Sequence, residues 1–384
     1  MSKFKHDNTG LTGKQYVFHP FEIAFCGYSG SGKTTLICKV IDILKSEFDI
    51  GYVKHDIHGF QIDKEGKDTF KAWSAGAAQI FISDSEHTAT IFRGAPQDIE
   101  LKSALWERDL VFIEGFKNSP AAKIVVLDEQ DKILTAVKNG EMDGVVAFVG
   151  RSPKPENLPD GVPFLNRDDA GGIAEFVRHY FQTKIQAIPL YGLVLAGGPS
   201  SRMESDKALL DYYGKPQAEI CYELLSSRCE STFISSRSNQ WSDEALNRLP
   251  RIHDTFLGIG PMGGILSAMQ KFPSAAWLVI ACDLPFLDQG TLDYLLANRG
   301  PYKMATCFQS AKNEFPEPLC TIYEPKAFPR LLQFLGMGYL SPGKVLMHSP
   351  IKLVKQRNAN SLENINTREE YLKARKEIER EGRT

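Results

Sequence analysis

Tyr191-Gly-Leu-Val-Leu-Ala-Gly-Gly-Pro-Ser-Ser-Arg-Met-Glu-Ser-Asp-Lys207 is the stretch on which the fold of the second half turns. Its apolar run Leu193 to Leu195 predicts a buried strand, which breaks into Gly and small residues before a cationic end at Lys207. Backbone N–H groups from Ala196 to Ser201 can close on an anion because Gly197 and Gly198 carry no side chain, and Arg202 and Lys207 add positive charge. The competing reading is a glycine-rich strand-to-helix turn with solvated cations. A second, different phosphate loop upstream favours the first.

That loop follows the strand candidate Phe21-Glu-Ile-Ala-Phe-Cys26. Gly27-Tyr-Ser-Gly-Ser-Gly-Lys-Thr34 fits G-x-x-x-x-G-K-[ST] in full, and Thr35 to Lys45 continues with Leu36, Val40, Ile43 and Leu44 at helical spacing. Strand, loop and helix in that order are the context a P-loop requires. The mechanics assign Gly27, Gly30, Gly32 and Thr35 to the phosphate cradle, Lys33 to the β and γ oxygens, and the Thr34 hydroxyl to Mg²⁺. Further on, Leu110 to Ile113 predicts a buried strand with Glu114-Gly115 at its end, where a carboxylate can bind Mg²⁺ directly or through water. Ile50 to His58 reads as another strand, ending in His55, Asp56 and His58; these are either ligand contacts or a solvated strand end.

The totals bound the rest. A chain of 384 residues predicts two domains, and 42% apolar with 24% charged residues marks a globular protein. Lys plus Arg at 45 against Asp plus Glu at 47 argues against a broad basic face, so no nucleic-acid partner is expected and anion binding is local. The seven Cys are scattered, without Cys-x-x-Cys or Cys/His ligand spacing, as in reduced cytoplasmic proteins. No signal-peptide core and no run of eighteen apolar residues appear, so a cytoplasmic protein without a membrane partner is expected. The expected boundaries are a loose tail at 1–20, a first domain at 21–182 closed by a helix at 172–182, a linker at 183–189, a second domain at 190–372 and a charged tail at 373–384.

In the second half, Ser231 to Ser235 predicts a strand, Gly258 to Gly264 a loop with four Gly able to pass close to a flat base or ribose, and Ala276 to Cys282 a buried strand ending in Asp283. Asp283 is placed to hold Mg²⁺; the alternative is a helix N-cap. Together these parts allow nucleotidyl transfer. A phosphate monoester acceptor has a second pKa of about 6 and needs no general base at neutral pH. Catalysis then consists of positioning and charge cancellation by Arg202, Lys207 and Mg²⁺ on Asp283, with pyrophosphate leaving.

Residues 191 to about 372 resemble the molybdenum cofactor guanylyltransferase (MobA) family through LAGGPSSRMESDKALL (195–210), HDTFLGIGPMGGI (253–265), VIACDLPFL (279–287), EPLCTIY (317–323) and NINT (364–367). Residues 21 to about 182 resemble the GTP-binding MobB adapter family through GYSGSGKTTL, YVKHDIHGF, IDKEGKDTFKAWSAGA and DLVFIEGFK. The resemblance implies two three-layer α/β domains, an N-terminal P-loop NTPase fold and a C-terminal Rossmann-like nucleotidyltransferase fold. It implies transfer of GMP from GTP to molybdopterin or Mo-molybdopterin, with molybdoenzyme apo-proteins and their chaperones as further partners. By motif, Leu195, Ala196, Gly197 and Gly198 would contact guanosine, Lys207 the triphosphate, Asp254 the nucleoside, Asp283 the Mg²⁺, and Asn364 and Asn366 the pterin side or the metal. The chain departs from the family pattern at Glu204, where Gly is usual, and at Ser235-Ser236, where an Asn-containing strand end is usual. Cytidylyl transfer to the same pterin and a non-catalytic, GTP-gated delivery module are the alternatives.

Overall fold

Glu22–Cys26 forms strand β1, buried along its whole length, and runs into the loop that opens helix α1 (Lys33–Leu44). The apolar spacing seen in the sequence becomes the buried face of α1, made by Leu36, Ile37, Val40 and Leu44, whereas Ile43 is exposed. This computed structural model describes residues 17–54, 64–93, 98–130, 132–197, 206–238, 240–241, 246 and 248–381. The chain divides into two compact units at Arg178/His179, inside a helix rather than in an extended linker.

The first unit continues with β2 (Ile50–Lys54), α2 (Asp68–Ser74), β3 (Gln79–Ser83), β4 (Thr88–Phe92), α3 (Asp98–Leu105), β5 (Leu110–Glu114), β6 (Lys123–Val126), α4 (Lys132–Lys138), β7 (Val145–Gly150), β8 (Phe164–Asn166) and α5 (Ala170–Gln186). Six strands make an all-parallel sheet in the order β2-β5-β1-β6-β7-β8, while β3 and β4 pair as a separate antiparallel ribbon. Continuous apolar strands are what a sheet covered on both faces selects, and β1, β5 and β6 are buried at every residue. The closing helix is longer than its apolar spacing predicts. Residues 183–186, expected as linker, form its last turn.

The second unit contains β9 (Leu190–Leu195), α6 (Gln217–Ser226), β10 (Ser231–Ser236), β11 (Arg251–His253), β12 (Ala276–Ala281), β13 (Ala305–Gln309), β14 (Pro316–Tyr323) and β15 (Ile351–Lys355), in the sheet order β11-β10-β9-β12-β14-β13-β15. Only β14 runs antiparallel to its neighbours. The chain leaves β9 for β10 on one side and later returns to β12 on the other, so the strand order switches direction at β9. In open α/β sheets that crevice, outside the carboxyl ends, is where ligands bind. Beneath it, Trp277 is fully buried with Tyr191 and Phe272 edge-on or tilted against it at 5.5 and 6.1 Å.

Two expectations change. The Gly258 to Gly264 stretch is a loop only to Gly260, because a helix begins at Pro261, and its last two glycines are packed against protein. A Cβ on Gly263 would overlap Phe256 O, and one on Gly264 would overlap Ser235 Oγ and lie 2.8 Å from Leu195 Cδ2. Gly264 lets the helix sit close on β9 and β10, and Gly263 lets its first turn pass close to the Phe256 carbonyl. Residues 373–381, expected in a charged tail, lie in the helix Arg368–Glu381, whose Ala374 and Ile378 bury with Tyr212, Phe286 and Ile365.

Candidate functional site

The second unit gathers its candidate residues at the switch point. Asp283 follows β12 and Lys207 opens a single 3₁₀ turn, Lys207–Leu209, after the phosphate loop. Lys207 Nζ lies 3.1 Å from Asp283 Oδ2 and donates to Asn366 Oδ1 at 2.7 Å. Asn366 comes from the far end of the chain. It is brought in because Ile365 N donates to the Asp283 carbonyl at 3.0 Å and Ile365 is anchored in the cluster with the C-terminal helix. Asn364, on the same segment, has no side-chain hydrogen bond among the described residues.

Asp283 therefore is not merely a helix cap. One of its oxygens holds Lys207, and the other, Oδ1, is buried without a hydrogen-bond partner among the described residues. An orphaned carboxylate oxygen beside a lysine fits a hard cation shared with phosphate oxygens. Among the described residues no group of three or more His, Cys, Asp or Glu is arranged to hold a metal by itself, so such an ion would take most of its ligands from the substrate and water.

Asp254 faces the same loop from β11. Its Oδ1 accepts from Ser235 Oγ at 2.6 Å, and its Oδ2 would lie 3.1 Å from a Cβ on Gly197, so a side chain there would press on the carboxylate. Burial pushes the Asp254 carboxyl above the usual aspartate range, and the Ser235 hydrogen bond opposes that. The Ser235 hydroxyl thus supports the acidic residue, a role the sequence did not suggest.

Three residues that sequence reasoning passed over hold the loop's two ends together. Gln240 Nε2 donates to Ala196 O at 2.7 Å and to Asp206 Oδ2 at 3.0 Å, and Trp241 Nε1 donates to the same oxygen at 2.8 Å. Asp206 also caps the 3₁₀ turn through Ala208 N at 3.0 Å. The signal available in sequence was Asp206 one residue before Lys207, but its partners lie more than thirty residues on. Leu195, Ala196 and Gly197 line the start of this loop, with Ala196 N donating to Ser235 O and Leu195 O accepting from Cys282 N. Gly198, Arg202 and Glu204 lie outside the described residues.

In the first unit the P-loop glycines explain themselves by geometry. Gly30 and Gly32 have φ of 78° and 76°, a left-handed backbone that favours glycine, and Gly27 has Ser31 Oγ and Val126 O where a side chain would go. Lys33 Nζ donates to Tyr28 O at 2.8 Å, folding back over the loop. Burial lowers the Lys33 ammonium pKa, opposed by the Glu114 charge. Thr34 Oγ1 lies 2.9 and 2.8 Å from the two Glu114 oxygens, so the predicted pair Thr34 and Glu114 is brought together; Thr35 is exposed beside them. Tyr52 Oη donates to Glu114 Oε2 at 2.6 Å, and Lys54 Nζ lies 3.6 Å from Oε1. Burial works against the Glu114 charge, yet the hydrogen bonds from Tyr52 and Thr34, with Lys54 and Lys33 nearby, hold its carboxyl below the usual glutamate range. Tyr52 was legible only as a strand residue. Lys117 places Nζ 4.0 Å over the Tyr28 ring, and Arg167, following β8, brings its guanidinium against Gly32. His55, Asp56 and His58 lie outside the described residues.

Comparison with known proteins agrees with this division. Residues 22–151 match the family model of molybdopterin guanine dinucleotide synthesis protein B, and residues 192–349 match that of the MobA-like NTP transferase domain. A molybdenum cofactor biosynthesis bifunctional protein of Synechocystis is 40% identical over 187 residues, covering 49% of this chain and 54% of that protein, so this chain spans about half of that relative's length. The molybdopterin-guanine dinucleotide biosynthesis adapter protein of Haemophilus influenzae is 34% identical over 149 residues, 34% of this chain and 83% of that one. A Bacillus cereus protein described as "Probable molybdenum cofactor guanylyltransferase" is 28% identical over 197 residues, 50% of this chain and 98% of that one. Through its first unit the chain belongs to the family of molybdopterin guanine dinucleotide synthesis protein B, and through its second it joins to that family a MobA-like NTP transferase domain.

Proposed function

We propose that the second unit transfers GMP from GTP to molybdopterin, or to its molybdate-loaded form, giving the guanine dinucleotide and pyrophosphate, and that the first unit is a GTP-binding adapter with weak GTPase activity. The observation that carries the reading is Lys207, held between Asp283 and Asn366 at the sheet's switch point. An ammonium has three donors. When a triphosphate is bound, it can turn an N–H from these protein partners to a phosphate oxygen.

The acceptor's phosphate monoester oxygen forms a bond to the α-phosphorus, the bond from that phosphorus to the bridging oxygen breaks, and pyrophosphate carries the electron pair away. The acceptor is mostly dianionic at neutral pH, so no residue has to take a proton. Lys207 steadies the triphosphate, Asp254 offers its Oδ2 to a nucleoside donor group, and the Asn364–Asn366 segment borders the acceptor side. Mg²⁺, when bound at Asp283, supplies charge neutralisation of the triphosphate. In the first unit Thr34 and Glu114 would hold a second Mg²⁺ in the same manner, and Gly27 to Thr35 would cradle the nucleotide.

Guanine is favoured over cytosine by Leu195-Ala-Gly-Gly198 and by the names of the relatives. A cytoplasmic setting is supported by seven free cysteines, and the adapter name of the relatives is what supports molybdoenzyme apo-proteins and their chaperones as further partners. Among the described residues no helix is long and apolar enough to cross a membrane. Incubating the purified chain with molybdopterin, Mg²⁺ and each of the four nucleoside triphosphates, then weighing the product by mass spectrometry, tests the reading. The guanine dinucleotide is expected; a cytosine dinucleotide, or no dinucleotide from any triphosphate, refutes it.

A further inference from the structure

Arg167 stands apart from the motif residues, on the turn between β8 and α5. Its backbone is held on both sides: Arg167 N donates to Gly150 O at 2.8 Å, Asp168 N to Asn166 Oδ1 at 3.0 Å, and Asp169 Oδ1 accepts from Gly172 N at 2.8 Å at the start of α5. From that fixed base the side chain reaches back to the P-loop. A Cβ on Gly32 would overlap Arg167 Nη2 and lie 2.9 Å from its Cζ. The guanidinium therefore fills the space beside the left-handed residue that precedes Lys33.

Its donors are unspent. Among the described residues, Arg167 has no side-chain hydrogen bond, ion pair or ring contact, although it is half-buried. Among the other described arginines of this unit, Arg93 bonds the Ala77 carbonyl, Arg108 the Asp49 carboxylate, and Arg178 both Glu47 and Glu175, while Arg151, which also has no protein partner, is exposed to water. Leaving a partly desolvated charge unpaired is costly unless a ligand supplies the missing acceptors. The five N–H groups of a guanidinium form a planar fork that matches the oxygens of a phosphate. Lys33, at the start of α1, bonds the Tyr28 carbonyl of that loop, and Lys117, from the segment after β5, lies over the Tyr28 ring, so the surroundings are cationic and suit an anion.

We propose that Arg167 is a direct ligand of the phosphate chain of the nucleoside polyphosphate held by Gly27 to Thr34. The proposal rests on the reading of that loop as a nucleotide site. It adds a residue from the turn after the last strand of the sheet, about 135 positions downstream, which no P-loop pattern contains.

The test uses the full chain and a fluorescent GTP analogue, with Lys33→Ala defining which part of the binding belongs to the P-loop. At that site Arg167→Ala is expected to weaken affinity about tenfold or more, and Arg167→Lys to recover only part because the fork is lost. The nucleotide-free melting midpoint should stay within about a degree of wild type, since no protein partner is removed. Affinity within about twofold of wild type in Arg167→Ala overturns the proposal. So does a several-degree loss of nucleotide-free stability that Arg167→Lys restores, which marks a structural guanidinium. If Lys33→Ala removes no binding at all, the nucleotide-site reading itself fails, and this proposal with it.

Discussion

Gly264→Ala links packing to the site in the second unit. The added Cβ would overlap Ser235 Oγ and lie 2.8 Å from Leu195 Cδ2 and 3.2 Å from Ser235 Cβ. The helix Pro261–Lys271 is buried from Met262 to Met269 and cannot step back without repacking. The cheapest relief is rotation of the Ser235 hydroxyl, which gives up its 2.6 Å hydrogen bond to Asp254. Losing the hydrogen bond between a buried hydroxyl and a half-buried carboxylate costs about 1.5–3 kcal/mol, similar to the cost of over-packing a core by one methyl. Because both costs describe one adjustment at Ser235, with the end of the Leu195 side chain giving way beside it, about 2–3 kcal/mol is expected rather than the sum. For a unit of this size that corresponds to a melting transition lower by about 4–12 °C. Gly336→Ala is the matched control. It sits at the end of a helix with nothing within 4 Å of its Cβ, so it should be neutral or stabilising by about 0.5–1 kcal/mol. The assay is differential scanning calorimetry of both variants, with GTP saturation of the transferase reaction measured alongside; KM for GTP should rise in Gly264→Ala as Asp254 loses its support. Equal melting of the two variants would refute the argument that close helix-to-strand approach, not ligand access, accounts for that glycine.

Lys207→Ala should lower dinucleotide formation about a hundredfold to a thousandfold, the loss typical of removing one preorganised group from developing charge. It also strands Asp283, whose side chain is 16% exposed, so Lys207→Ala should melt below the Lys207→Ala, Asp283→Ala double variant, as calorimetry can check. Glu114 concerns the first unit and pH. Its carboxyl is held below the usual range by its hydrogen bonds, so its stabilisation is present above the unfolded glutamate pKa and is lost as pH falls through the folded value. Melting of wild type should therefore drop from about pH 5 downward, more steeply than in Glu114→Gln, and parallel acid limbs in the two proteins would exclude the assignment.

The continuous apolar runs of β1, β5 and β12 were readable as buried strands because each lies inside a covered sheet and carries no polar alternation. β8 and β4 were not. β8 has three residues in a loop rich in Pro and Gly, and β4 pairs only with β3 in a ribbon whose residues are mostly exposed. The helix Arg368–Glu381 was hidden by its charge, since only a narrow stripe including Ala374 and Ile378 touches the core.

Two α/β units, the phosphate loop before Lys33, the carboxylate at Glu114 and the strand-end acid at Asp283 could be read from the residues alone, because each motif is written within a few neighbouring positions. Tertiary structure alone decided which distant groups complete them. Asn366 reaches Lys207 from 159 residues away, Gln240 and Trp241 close the loop at Asp206 from 34 and 35 away, and Arg167 returns to Gly32 from the turn after the last strand of its sheet. Local spacing encodes backbone geometry; partners across a sheet edge are set by strand order and packing, which no window of neighbouring residues contains.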